Sequence, residues 1–491
     1  YPYCPKLNLT ASECSSLTVE FRNSFRTFDG SCNNLNNTLW GKSVTPFRRL
    51  LVPAYDDYVT EPRTKSVVPG KYLPNARKIA TIVHESQRTI SEWTHFMTYF
   101  GQFVDHDLTL TPKASYGNGY VKNCPCGSYD PECFNIPVPN GDDTYYGQKC
   151  ISFVRSSASI RDFNCNLGPR EQLNQQTHWL DLSQVYGHNL TIAQQLFNPA
   201  TGKMKVSSNN LLPFRNQTTC DINYPRYNMY SRNRLERCFL AGDDRAEENV
   251  MLSALNTIFI REHNTIVDEL TKLNPNLSAN NKFQIARKIL IAIYQNIVYG
   301  EYLPALLGEE MAKIYNLLVL ETGFYLNYDA TIYPQIYNEF ATAAFRYGHT
   351  FITQDSHTAD YTYKYSQSRS IDYYLFNNKA YLENMDGIVK GTLMDWSYAP
   401  TAQINTYMNN YLFNNIFYPG SKWSLAALNI QRGRDHGLAP YNKYRKLCGL
   451  NYAYSFDELY NIPSNIISKF KSLYAHVDDI DAFTGMLSEY P

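Results

Sequence analysis

Apolar residues recur at steps of three, four and seven through Trp93, Phe96, Met97, Phe100, Phe103 and Val104. That is the spacing of one buried helical face, and it predicts a helix over 90–106. A second helical pattern runs over 243–270 through Leu252, Leu255, Ile258, Phe259 and Ile266. A third extends from Asn281 to Tyr299, with Ile285, Ile289, Ala292, Ile293 and Ile297 on one face, and Gly300 and Pro304 stop it. Shorter helical stretches fit 334–348 and 424–432. Period-two alternation is rare, and no repeat appears. The class is mainly α with few short strands. Prolines at 2, 5, 46, 53, 62, 69 and 74 make the first 75 residues irregular, and 113–170 reads as a long loop.

At 491 residues, length alone suggests two or three domains. No composition shift marks a linker, so 1–491 is expected to form one large domain. The 45 basic and 45 acidic residues cancel, which argues against nucleic acid or an anionic membrane as the main partner. No apolar run approaches the roughly 20 residues of a membrane span. Of the 11 cysteines, Cys124, Cys126, Cys133 and Cys150 fall in the Gly/Pro-rich loop without the spacing of a zinc site. Disulfides tying that loop are the better reading, and they imply an oxidising compartment. Asn-x-Ser/Thr sequons at Asn8, Asn36, Asn189, Asn216 and Asn276 point the same way, to a secreted glycoprotein. Tyr1 opens the chain without a signal peptide, which reads as a processed form. The 41 tyrosines read mostly as ordinary filler, with radical-carrying or crosslinking roles open for a few.

The usual hydrolase, nucleotide and zinc-protease motifs are absent, and the Gly117–Gly119 pair reads as a turn. Four polar clusters remain. Gln102, Asp105, His106 and Asp107 end the first apolar helix; they are a solvated helix end or a site. Asp243-Asp-Arg-Ala-Glu-Glu-Asn249 opens the second, with Arg245 and Glu248 on one face; a cap with a surface ion pair explains it equally well. Arg346 and His349 fall three apart, and a lone histidine there is more often structural. Asn429 and Arg432 share a face within Leu428–Gly437, whose dense charge ordinarily means an ion-pair network.

One cofactor uses all four clusters. A haem iron needs an axial imidazole held by a neighbour, which His349 and Asn429 supply. Its propionates need arginines, for which Arg346 and Arg432 are candidates. Peroxide activation needs a neutral imidazole and a cation, His106 and Arg245.

The motifs Gly101-Gln-Phe-Val-Asp-His-Asp107, Phe239-Leu-Ala-Gly-Asp-Asp-Arg245, Phe345-Arg-Tyr-Gly-His349, Leu428-Asn-Ile-Gln-Arg432 and Arg434-Asp-His-Gly-Leu438 occur in this order. With them the chain resembles the animal haem peroxidases along nearly its whole length, most closely the secreted invertebrate peroxinectins and chorion peroxidases. The resemblance implies a single haem-peroxidase domain and a secreted enzyme. That enzyme reduces hydrogen peroxide and oxidises a halide, thiocyanate or a phenol, and a tyrosine-rich extracellular protein is a candidate partner. It makes His106 the distal base, Arg245 the distal arginine and Gln102 the residue beside the reductant. His349 becomes the proximal ligand supported by Asn429, and Asp105 and Glu248 the acids that form haem esters. It further implies a calcium site at Asp107, Thr177, Asp181, Ser183 and the Trp179 backbone oxygen. These groups all offer oxygen, which calcium prefers; read without the family, 177–183 is a strand.

By the same resemblance His106 takes the peroxide proton and returns it to the leaving oxygen, while Arg245 offsets the developing charge. Asn249 stands where some members carry a haem-linked methionine, so a sulfonium link is impossible and chloride oxidation is disfavoured. Cysteines are expected to pair as Cys14–Cys32, Cys124–Cys133, Cys126–Cys150 and Cys220–Cys238, with Cys4 and Cys165 unassigned. The chain stops short of the family's usual C-terminus. Cys448 is therefore expected to pair with a second chain or C-terminal fragment. Two other readings compete: an adhesion or matrix protein on the same scaffold, weakened by the lack of Arg-Gly-Asp, and a lipid dioxygenase, which is not expected to keep both Asp105 and Glu248.

Overall fold

Ile90–Thr94 fits the helical spacing but pairs elsewhere. The computed structural model describes Cys14 and residues 25–491 apart from 87–88, 118, 161–165, 216–237 and 415–421. The elements that position the site are, in chain order, β1 (Ile90–Thr94), α1 (His95–Leu108), α2 (Val250–Leu273), α3 (Ala279–Ile297), α4 (Asn378–Met394), β2 (Trp396–Tyr398) and α5 (Leu425–Asp435). β1 lies antiparallel to β2, with Ile90 opposite Tyr398 and Thr94 opposite Trp396. The predicted 90–106 helix therefore begins five residues late, because a partner more than 300 residues away takes its first backbone groups.

α1 and α2 pack through apolar positions read from sequence, Ile258 excepted. α3 packs through another face: Ile289, Ala292 and Ile293 of its predicted stripe are exposed, and Phe283, Leu290, Ile291 and Tyr294 are buried instead. Phe103 stacks on Phe259 of α2 with ring centroids 5.1 Å apart, and Tyr294 of α3 meets it edge-on at 6.1 Å. α4 packs on both α1 and α2. Asn249 caps α2 and Ser278 caps α3 through side-chain oxygens. The rest of the described fold is mainly helical, with two-residue strands, a four-residue strand Glu171–Asn174 that pairs with two of them, and one longer hairpin, Asp355–Ala359 with Tyr365–Ser370.

Three predicted elements change shape. Gly300 and Pro304 do not stop the third helix: a π turn, Val298–Tyr302, carries it into Leu303–Leu307. Pro304 sits in the first turn there, where no N–H is needed, and the true stop is Gly308 at φ 78°. The 334–348 helix divides at Ala343 into Asn338–Thr342 and a 3-10 segment, Ala344–Thr350. The 177–183 stretch is no strand. Leu182 takes the left-handed conformation (φ 58°) and starts a helical turn, Ser183–Tyr186.

Disulfides join Cys14–Cys32, Cys124–Cys133 and Cys126–Cys150, as the resemblance implies. Cys238 is also disulfide-bonded; Cys4, Cys165 and Cys220 lie outside the described residues. Cys448 is an exposed thiol. Among the described residues, no helix is long and apolar enough to cross a membrane.

Candidate active site

A cavity of about 450 Å³ opens where α1, the start of α2, the Ala344–Thr350 turn and α5 converge. Gln102, Asp105, His106, Arg245, Glu248, Arg346, His349, Asn429 and Arg432 all line it. Sequence places these residues in four separate clusters; the fold brings all four to one space.

α1 contributes its polar end. Thr109 leaves the helix in an extended conformation, and its Oγ1 donates to Asp105 Oδ1 at 2.9 Å. His106 is buried, and burial followed by the charge of Arg245 pushes it down to about 3. Its imidazole is therefore neutral at physiological pH. Glu248 Oε2 lies 3.9 Å from His106 Nε2; with the ring neutral this is proximity rather than an ion pair. Burial raises Glu248 to about 7, opposed by Arg245 and reinforced by Asp243 and Asp105. Burial raises Asp105 as well, against the pull of Arg245. Gln102 donates weakly to Glu248 Oε2 (3.4 Å) and accepts from Asn249 Nδ2 (2.9 Å).

Arg245 pairs with a residue that sequence reading passed over. Its ion pair is with Asp243, at 2.6 Å from Nη2 and 3.0 Å from Nε, and Thr109 O accepts a further bond at 2.7 Å. Asp243 is buried, and Arg245 holds its carboxyl well below the usual range despite the cost of burial. Two residues of spacing in a tight 3-10 start, Asp244–Glu247, make this contact possible. Helical i, i+3 reasoning points to Glu248 instead.

His349 is likewise neutral: burial, then Arg346, lowers it to about 3. Its Nδ1 lies 2.9 Å from Asn429 Nδ2, and Asn429 Oδ1 accepts from Arg346 Nη1 at 2.6 Å. Asn429 thus bridges arginine and imidazole, its amide group rather than its carbonyl turned to the ring. Arg346 Nε donates to Ala341 O (3.1 Å). Arg432 stacks over Phe153 at 4.0 Å and donates to Val154 O and Asp435. The ion-pair network expected of this segment exists too, since Asp435 also takes Arg155 at 2.7 Å.

Asp107 points away from the cavity set. Its carboxylate accepts from the amides of Asp181, Leu182 and Ser183 at 3.0, 3.2 and 2.6 Å. Three amides turned to one carboxylate cannot also form a ladder, which is why 177–183 bends. Thr177 Oγ1 donates to Asp181 Oδ1 at 2.8 Å and approaches Trp179 O at 3.4 Å. Asp107, Thr177, Asp181 and Ser183 are all buried, and Asp181 Oδ2 has no hydrogen-bond partner.

Lys113 and Trp423 also line the cavity and were missed. A lysine in the extended stretch after α1, where Lys113 bridges to Ser156, carries no periodic signal.

A family model described as Animal haem peroxidase matches residues 25–491. Peroxidasin of Drosophila melanogaster is 34% identical over 96% of this chain, which covers 32% of that protein. Chorion peroxidase of Aedes aegypti is 33% identical over 95% of this chain and 59% of its own length. The chain thus spans about a third of the peroxidasin it matches. Among solved structures, Peroxidase A from Dictyostelium discoideum superposes with a TM-score of 0.79 at 26% identity, over 96% of this chain and 87% of that one.

Proposed function

The chain belongs to the animal haem peroxidase family, and from that premise we propose that it reduces hydrogen peroxide while oxidising a halide, thiocyanate or a phenol such as tyrosine. One observation carries the proposal: two neutral imidazoles, the buried His106 and the half-buried His349, line one cavity with Arg245. Haem bound there supplies the iron at which peroxide is reduced and the reductant oxidised.

The residues fit that group. A metal needs a deprotonated imidazole, and burial beside Arg346 keeps His349 in that form. Asn429 meets the ring at Nδ1; binding a metal through Nε2 requires the tautomer protonated at Nδ1, with the Asn429 carbonyl turned to accept that proton. Arg346 and Arg432 stand on the cavity wall as partners for haem carboxylates. His106, neutral, accepts the peroxide proton and hands it to the leaving oxygen. Arg245, fixed by Asp243, offsets the negative charge that develops. Gln102, oriented by Asn249, lies beside the reductant. Asp105 and Glu248 are carboxyls whose charge burial already disfavours. Ester links to haem leave them neutral at little further cost.

Calcium fits Asp107, Asp181, Thr177, Ser183 and the Trp179 oxygen, because two buried carboxylates and an orphaned Oδ2 are satisfied by one divalent cation. Exposed Asn36 and Asn276 sequons and the disulfides support secretion. The exposed Cys448 thiol suits a disulfide to a second chain, and a tyrosine-rich extracellular protein suits the phenol reading.

The deciding experiment is a Soret spectrum of the purified protein followed by acid–acetone extraction. A Soret band whose haem resists extraction is expected, and His349→Ala should abolish it. Full haem occupancy in that variant overturns the proximal assignment, and freely extracted haem overturns the esters.

A further inference from the structure

The Gly117–Gly119 turn and the tyrosines beside it play no part in the proposed chemistry, yet they stand at the rim of the cavity. The chain doubles back there: Ser115 bridges Val121, the Tyr116 amide donates to Tyr120 O at 2.8 Å, and the Gly119 amide donates to Tyr116 O at 2.9 Å. Gly119 takes φ 84°, a conformation glycine adopts without a steric cost. Residues opposed across an antiparallel pair put their side chains on one face, so Tyr116 and Tyr120 stand side by side. They are 46% and 53% exposed. The returning arm then joins the cavity wall through Val121, Lys122, Asn123 and Cys124. Tyr116 turns its hydroxyl toward that wall: Oη lies 3.4 Å from the Asn123 amide nitrogen, and Lys122 Nζ lies 5.8 Å from the centre of its ring. Lys122 is itself held by Asp130 at 2.8 Å and Cys124 by its disulfide to Cys133, which fixes this part of the rim. The cavity's own tyrosines are placed differently. Tyr99 and Tyr374 are buried, and Tyr347 is half-buried with its hydroxyl bonded to that of Tyr302. A phenol oxidised inside the wall cannot meet another chain; one at 116 or 120 can.

From this geometry we infer that Tyr116 and Tyr120 are a self-modification site, at which turnover of peroxide joins this chain to a second copy through dityrosine. Each phenol gives up one electron and its hydroxyl proton. Two such phenoxyls, one from each chain, form a carbon–carbon bond between the ring positions ortho to oxygen, and the hydrogens on those carbons move to the oxygens. The two electrons and two protons released reduce one hydrogen peroxide to two waters. The inference rests on the peroxidase reading and deepens its phenol branch.

The test uses the haem-loaded full chain with hydrogen peroxide and no other reductant. Products are run on a reducing gel, which removes any disulfide through the exposed Cys448. They are read by dityrosine fluorescence and by mass spectrometry of the joined peptides. A fluorescent dimer linked through the peptide that carries Tyr116 and Tyr120 is expected. Tyr116→Phe combined with Tyr120→Phe should abolish it and leave the Soret band and guaiacol oxidation unchanged. Tyr129→Phe combined with Tyr361→Phe, which removes strongly exposed phenols outside the cavity lining, should dimerise as wild type does. Undiminished dimer in the first variant, its loss in the second, or fluorescence confined to the monomer overturns the site. Guaiacol oxidised without any crosslink sinks this inference alone; no guaiacol oxidation sinks the peroxidase reading and this inference with it.

Discussion

Asn249 donates from Nδ2 to Gln102 Oε1 at 2.9 Å, while its own Oδ1 accepts the Leu252 amide at 3.0 Å. One side chain joins the start of α2 to an amide on the cavity wall. The two roles are separable. Serine keeps a capping oxygen but is too short to reach Gln102; leucine loses both contacts. Asn249→Leu should cost about 1 kcal/mol of stability, and Asn249→Ser no more than a few tenths. Urea unfolding reads the cap, and the iodide KM of the haem-loaded protein reads Gln102. A serine variant as unstable as the leucine one would show that the Gln102 bond, not the cap, carries the stability.

Asp243 makes a buried ion pair with Arg245. Removing the Asp243 charge takes a buried carboxylate from the Arg245 guanidinium, so Asp243→Asn should cost about 3 kcal/mol at neutral pH. The sign of the pH dependence follows from the depressed carboxyl. Its contribution is complete above the ordinary value of 3.8 and is lost only as pH falls through the lower folded value. The stability gap between wild type and variant should therefore stay constant near neutrality and close in strong acid. A gap that widens on acidification contradicts the assignment.

Much of this site was legible because its residues lie at helix ends, where apolar spacing fixes which side chains share a face. Phe100, Phe103 and Val104 are buried as that spacing requires, and Gln102 and His106, four apart, reach the same cavity. What spacing cannot convey is contact across long sequence separations. β1 forms because β2 pairs with it, and α4 packs against α1 although no apolar stripe in 378–394 stood out. The short-range exception is Asp243, two residues from Arg245 but outside helical geometry. The proposed calcium ligands came only through the family resemblance, since alternating oxygens look like a strand until Asp107 is seen to gather the amides of Asp181 and Ser183.

Gly391 in α4 lies against the Asp355–Ala359 strand so closely that a Cβ there would stand 1.7 Å from the His357 carbonyl oxygen. That oxygen belongs to backbone and cannot swing aside. Gly391→Ala should therefore prise the hairpin from α4 and cost at least about 3 kcal/mol, the scale of overpacking in a well-filled site. Gly433 in α5 is the contrasting case, with only Leu438 Cδ1 nearby at 3.8 Å. Gly433→Ala should stabilise by about 0.5–1 kcal/mol through helix propensity. Thermal unfolding of the pair should give shifts of opposite sign, and like signs refute the packing argument.

Several histidines remote from the cavity chemistry are buried in neutral form. Burial lowers His84, His95 and His263 to about 4 and His178 to about 3, and His436 falls well below its ordinary value. His436 is held neutral among Ser156, Thr342 and Asn338 at 2.7, 2.9 and 2.7 Å. Because these folded values lie below 6.5, the unfolded chain takes up protons first as pH falls. Stability is then full above 6.5 and declines toward 4, each ring adding up to about 1.4 kcal/mol per pH unit. Unfolding free energies measured from about pH 7 down to about pH 5 should fall steeply, before most carboxylates titrate. A flat profile over that range would mean these rings are charged or exposed.

Calcium should be part of the protein's stability rather than an ornament of its surface. Asp107 and Asp181 are both buried, each is raised by burial, and Asp181 further raises Asp107. Without a cation they oppose folding; with one they anchor the end of α1 to the Ser183–Tyr186 turn. At free calcium a hundredfold above its Kd, the ion should add about 2.7 kcal/mol. EGTA should accordingly lower the Tm, and restored calcium should recover it. Asp181→Asn removes both a ligand charge and the repulsion, so the variant should lose most of the calcium response. In EGTA it should be no less stable than wild type. Equal melting of wild type with and without EGTA, at calcium-free purity checked by elemental analysis, removes the metal from this site and leaves Asp107 as a cap alone.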